Sequence, residues 1–100
     1  MPHERLNQAQ IEARMKCIPQ WRCDFSEAFI SNEWQFATYK KAIAMLVKVS
    51  ELAEIQNHHP EITSAYTRIR IKLWTHDANG LTNKDFELAQ AIDKLVAREF

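Results

Sequence analysis

The chain predicts an α+β fold: a four-stranded antiparallel sheet with three helices packed on one face, in the order α-β-β-α-β-β-α. Three observations carry this expectation. Apolar residues recur at helical spacing in three separate segments, and they alternate with polar residues in segments lying between those three. No Pro-, Gly- or Ser-rich linker, internal repeat or low-complexity tract divides the chain, so residues 1–100 are expected to form a single domain. A chain of this size buries roughly 60–70% of its extended surface, which makes self-association an expected source of further burial.

Asn7 followed by Gln10 has the form of a capping box, and Ile11, Met15 and Ile18 then recur until Pro19, predicting a first helix of about three turns. Trp21, Cys23 and Phe25 alternate with Arg22 and Asp24, and a second alternation runs through Ile30, Asn32, Trp34 and Phe36. Together they predict a hairpin whose turn, near Ser26 and Glu27, lacks glycine. Thr38 can cap a long helix with an apolar stripe of Tyr39, Ala42, Ile43, Leu46, Val49, Ser50 and Ala53, and Pro60 requires that helix to have ended by His59. Within the second strand pair, alternation marks Ile69, Ile71 and Leu73 against Arg68, Arg70, Lys72, Trp74 and His76, while Glu61 reads as the start of a loop. Asp77 to Gly80 is a turn, and Thr82 with Asp85 opens a last helix that turns Leu88, Ala89, Ile92, Leu95 and Val96 inward.

Thirteen basic and thirteen acidic residues leave no formal net charge, which argues against a nucleic-acid footprint, since such a footprint normally needs a basic face. The longest apolar run, Ala42 to Val47, falls far short of the ~20 residues of a membrane span, and no secretory leader is evident, so a cytoplasmic protein with no membrane association is expected. Cys17 and Cys23 form no C-x-x-C pair and are read as reduced, structural thiols.

Three of the four histidines, His58, His59 and His76, lie near the carboxylates Glu54, Asp77 and Asp85, while His3 belongs to the N-terminal tail and is read as a surface group. Histidine titrates near neutrality, and a carboxylate can orient its ring, so the cluster points to proton transfer. Glu54 and His58 are four apart and would share a helix face if helical geometry extended to His58.

These residues form the pattern E-x3-H-H-P-x5-Y-x9-H-x8-D through Glu54, His58, His59, Pro60, Tyr66, His76 and Asp85, which resembles the signature of the pterin-4a-carbinolamine dehydratase family. Leu73-Trp74-Thr75-His76-Asp77 and Gly80 to Asp85 extend the resemblance, and Trp21, Trp34 to Tyr39, Ala42 and Ser50 to Glu54 carry it more weakly upstream. It implies a hydro-lyase that dehydrates 4a-hydroxytetrahydrobiopterin to the quinonoid dihydropterin, in recycling linked to an aromatic amino acid hydroxylase. The pterin is the substrate, and no metal or other cofactor is implied. Carried over by position, His58 and His59 contact the pterin as general acid and base, and His76 is the third catalytic histidine. Glu54 orients His58, Pro60 sets the turn beside the pterin, and Tyr66 packs beneath the pocket. Asp85 caps Thr82 and supports His76, and Trp74 is either a pterin-stacking surface or an oligomer contact. The resemblance also implies a homodimer that extends the sheet, or a homotetramer paired through helices, and Trp74 on the strand face opposite the isoleucines fits such a contact. Asn79, Asn32 and Ile62 depart from the usual family residues without touching the histidines.

Three other functions fit some of the same residues. A metal hydrolase could use His58 or His59 with His76 and Asp77, although adjacent histidines rarely face one ion. A non-catalytic dimerisation cofactor for a transcription factor, or action on another pterin such as in molybdopterin metabolism, would need no change in the pattern.

Overall fold

The computed structural model describes residues 4–100. His3 lies outside them. The expected order is found: α1 (Gln8–Met15), β1 (Arg22–Asp24), β2 (Phe29–Gln35), α2 (Tyr39–Gln56), β3 (Glu61–Ala65), β4 (Arg68–Leu73) and α3 (Asn83–Glu99), with a short 3-10 turn at His76–Ala78 before α3. The strands form one antiparallel sheet in the order β1-β2-β4-β3.

α1 opens on the expected capping box, in which the Gln10 amide donates to Asn7 Oδ1 at 2.8 Å and the Asn7 amide to Gln10 Oε1 at 2.9 Å. It is shorter than expected. After Met15 the amides of Cys17 and Ile18 reach back only three residues, to Arg14 and Met15, and this tighter turn drops Ile18 fully into the core. The β1–β2 turn solves its lack of glycine in two ways: Asp24 Oδ1 accepts from the Glu27 amide and the Ser26 hydroxyl, both at 2.9 Å, and Ala28 takes a left-handed φ of 59°. Asn79 likewise takes φ 55°, as its side chain allows. Gly80 does not take a positive φ, and the atom nearest to a Cβ built there is Nε of the exposed, flexible Arg5 side chain, at 2.7 Å.

The register turns Ile30 of β2 and Ile69, Ile71 and Leu73 of β4 to one face, where they meet Met45 and Val49 of α2 and Leu88 and Ile92 of α3, all fully buried. Each such side chain contributes about 1.5–3 kcal/mol by leaving water. Asn32 stands opposite Ile71 in this register and is only half-buried. Trp21 joins the sheet to α3: its indole N–H donates to Asp93 Oδ1 at 2.9 Å, and its ring meets Trp34 edge-on at 5.6 Å. The opposite sheet face carries exposed Arg68 and Arg70, with the Lys72 ammonium 4.1 Å from the centre of the Phe29 ring.

β3 is the element that alternation did not mark. It is an edge strand with Ile62 alone half-buried among exposed residues, and its pairing with β4 rests on the backbone ladder. No helix among the described residues is long and apolar enough to cross a membrane.

Candidate active site

The end of α2 decides how the two adjacent histidines separate. Asn57 adopts a left-handed conformation with φ 51°, its amide bonds Glu54 O, and the His58 amide bonds Ala53 O at 3.0 Å, the two reversed bonds of a Schellman motif. Chain direction changes there, one residue before His58. The helical relation expected between Glu54 and His58 is therefore broken. Glu54 Oε2 instead meets His59 Nε2 at 2.5 Å in an exposed pair, whereas His58 turns inward, with 8% of its surface exposed.

Inside, His58 Nε2 lies 2.6 Å from Oδ1 of the fully buried Asp85. Asp85 was expected to support His76; it supports His58, because the start of α3 faces the end of α2 while His76 leaves β4 on the outer side. The capping expectation holds. Asp85 Oδ2 accepts from the Thr82 amide at 3.0 Å and also from the Thr75 hydroxyl at 2.9 Å. Thr75 and Thr82 join through their hydroxyls at 2.8 Å, and Thr82 Oγ1 accepts from the Lys84 amide at 3.2 Å. An unpaired carboxylate would be strongly disfavoured at this depth, and this one is fully provided with donors.

His58, His59 and His76 all border one cavity of about 400 Å³, together with Asn57, Trp74, Thr75, Asp77 and Lys84. The Trp74 and His76 rings lie 4.9 Å apart and tilted by 52°, forming an aromatic wall. Trp74 is thus a cavity residue, as the stacking alternative required. Lys84 donates to Asn57 O at 3.2 Å and ties α3 to the left-handed turn that presents the histidines.

Glu54 and Pro60 border an adjoining, mainly apolar groove, and His59 stands between the two spaces. Tyr66 is not beneath the pocket. It occupies the β3–β4 turn with φ 53°, 76% exposed, and stacks on Tyr39 at 6.3 Å. Among the described residues no three His, Cys, Asp or Glu side chains converge to hold a metal ion.

Thr75 and Lys84 border the cavity without a counterpart among the residues that the sequence pattern marks, whereas Asp77 belongs to the expected histidine–carboxylate cluster. Thr75 had a signal: it continues the inward alternation Ile69, Ile71, Leu73, and a hydroxyl at a core-facing position needs a buried partner.

The family model of the pterin 4 alpha carbinolamine dehydratases matches residues 4–95. The chain belongs to this family. A relative in Rhizobium leguminosarum, provisionally named a pterin-4-alpha-carbinolamine dehydratase, is 41% identical over 98% of this chain and 97% of its own length. A similarly named relative in Chloroflexus aurantiacus is 42% identical over 92% of this chain and 97% of its own. Among solved structures, a transcriptional coactivator/pterin dehydratase from Brucella melitensis superposes with a TM-score of 0.87 at 25% identity, covering 92% of this chain and 98% of that one. A pterin dehydratase-like protein identified as a RuBisCO assembly factor in the α-carboxysome shares the fold, with a TM-score of 0.65 at 23% identity over 76% of this chain and 88% of its own.

Proposed function

We propose that the chain dehydrates a 4a-hydroxytetrahydropterin to the quinonoid dihydropterin. The observation that carries this reading is the meeting of three imidazoles at one cavity, two of them backed by carboxylates through Nε2 and so left with Nδ1 for a ligand. The reaction requires that pairing of tasks. The C4a–O bond breaks with a proton delivered to the departing oxygen, N5–H gives up its proton, and C4a=N5 forms with release of water. Positioned imidazoles suit both transfers, and acid–base assistance of this kind typically contributes ~10²–10⁴-fold. The Trp74–His76 wall suits the flat face of a pterin ring. No step calls for a nucleophile or an added cofactor.

The supply of such a substrate implies an aromatic amino acid hydroxylase as metabolic neighbour, and the exposed apolar side chains of α2 favour a homo-oligomer. The test is conversion of enzymatically generated 4a-hydroxytetrahydropterin, followed by absorbance against the spontaneous rate. We expect stimulation by the wild-type protein and at least tenfold less by His59→Ala and His76→Ala. Full stimulation by the His76→Ala protein would overturn the assignment.

A further inference from the structure

We propose that Thr75, acting through Asp85, is a positioning residue that keeps His58 a neutral base with Nδ1 offered to the pterin; this rests on the dehydratase reading above. The basis is a proton count along the buried chain of hydrogen bonds. The Lys84 amide donates to Thr82 Oγ1. The Thr75 hydroxyl has one proton, and it is directed at Asp85 Oδ2, so the hydroxyl–hydroxyl contact must be donated by Thr82. Every proton in the chain points towards Asp85, which also accepts the Thr82 amide. Two donors at Oδ2 favour the ionised carboxylate, and a carboxylic acid ordinarily gives up its proton more readily than an imidazolium, so Oδ1 is the acceptor of the pair. The 2.6 Å contact is therefore donated by His58 Nε2–H, and in the neutral ring Nδ1 is the acceptor.

This makes His58 the base for the N5 proton, by the logic of a carboxylate that orients a catalytic imidazole. The other charged or titratable groups around His58 are His59, with Glu54 behind it, on its own segment, Lys84 on α3, and His76 and Asp77 on the 3-10 turn. None of them makes a hydrogen bond to His58. Lys84 instead spends its ammonium on Asn57 O. Removal of the Thr75 hydroxyl takes one donor from Asp85, leaves its charge less dispersed, and so favours the imidazolium over the neutral base.

The first measurement uses the substrate-free wild-type protein: ¹⁵N shifts of the His58 ring across pH, expected to show the Nε2–H tautomer when the ring is neutral. A proton on Nδ1 overturns the proposal without any reference to turnover, whereas a wild-type protein that fails to stimulate dehydration overturns the functional reading instead. The second compares Thr75→Val and Thr75→Ser, with thermal melts establishing that each is folded. The acid limb of kcat/KM should move up by about half a pH unit or more in Thr75→Val, roughly a threefold loss at fixed pH on that limb, and return in Thr75→Ser. A folded Thr75→Val protein with an unmoved acid limb overturns the proposal, and the serine variant separates the hydroxyl's role from the packing of the threonine methyl.

Discussion

Two histidines adjacent in sequence sit in opposite environments, and their substitutions should differ accordingly. His58→Ala removes the partner of a fully buried carboxylate, so it should lower stability by about 1–3 kcal/mol as well as abolish stimulation. His59→Ala and His76→Ala, at exposed positions, should reduce activity with stability within about 0.5 kcal/mol of wild type. Urea titration of the three variants checks this, and equal stability of all three would mean that Asp85 finds another partner. The two thiols are also unequal. Cys17 is exposed, contrary to its structural reading, whereas burial and the nearby Asp24 charge push the Cys23 thiol up. A maleimide should therefore label Cys17 well before Cys23 at neutral pH, as peptide mapping would reveal. In Asp93 partial burial raises the carboxyl above its ordinary range despite the hydrogen bond from Trp21. The folded state then holds the proton more tightly than the unfolded one, so this group's contribution is favourable at acid pH and is lost as pH rises through its raised folded value. Asp93→Asn keeps an acceptor for the indole and should raise Tm at pH 7, with the gain shrinking towards acid pH. A lower Tm for the variant at pH 7 would show that the charged hydrogen bond outweighs the burial.

At the scale of elements, caps and periodicity were legible, while chain reversal was not. Thr38, Asn7 and Thr82 cap helices as their residue types predict, and Asp85 closes the box with Thr82. The left-handed turn at Asn57 is a conformation that asparagine merely permits, and it takes the packing of α2 and α3 to select it. Asn57→Ala should cost about 1 kcal/mol, because alanine keeps the left-handed Cβ conflict without the local polar contacts that offset it in asparagine, and Asn57→Gly about nothing, because glycine has no Cβ. Activity should follow the same order, since the turn aims both histidines; an alanine variant with wild-type stability and rate would show that the turn geometry is not limiting. β3 escaped detection for a related reason: an edge strand with one half-buried residue has no alternation to show, and its ladder partner lies in another segment.

At the scale of the molecule, the apolar surface left uncovered has moved from where the strand pattern suggested. Trp74 borders the cavity beside His76, which gives its partly exposed ring a use that needs no second copy. Ile55, 80% exposed on α2 beside the groove of Pro60 and Ile62, argues for one instead, with Val47 on the same helix also exposed. We expect a homodimer or larger assembly in sedimentation at micromolar concentration, and a shift towards monomer in Ile55→Asp. A stable, active wild-type monomer would remove this inference.

What the sequence determined by itself is whatever depends on residue type and local spacing: the helix caps, the inward stripe of α3, the β4 alternation, and the set His58, His59, His76, Glu54 and Asp85. The stripe of α2 holds at Ala42, Val49 and Ala53 but is corrected at Tyr39 and Ser50, which are exposed, and at Met45, which is buried in their place. What only the tertiary structure decided is the pairing within that set. Glu54 took His59 and Asp85 took His58 because one left-handed residue turns the chain between them, and because the first turn of α3 packs against the end of α2. A hydrogen bond has to be made within about 3 Å and in a fixed direction, and spacing along a chain does not specify direction once a helix has ended.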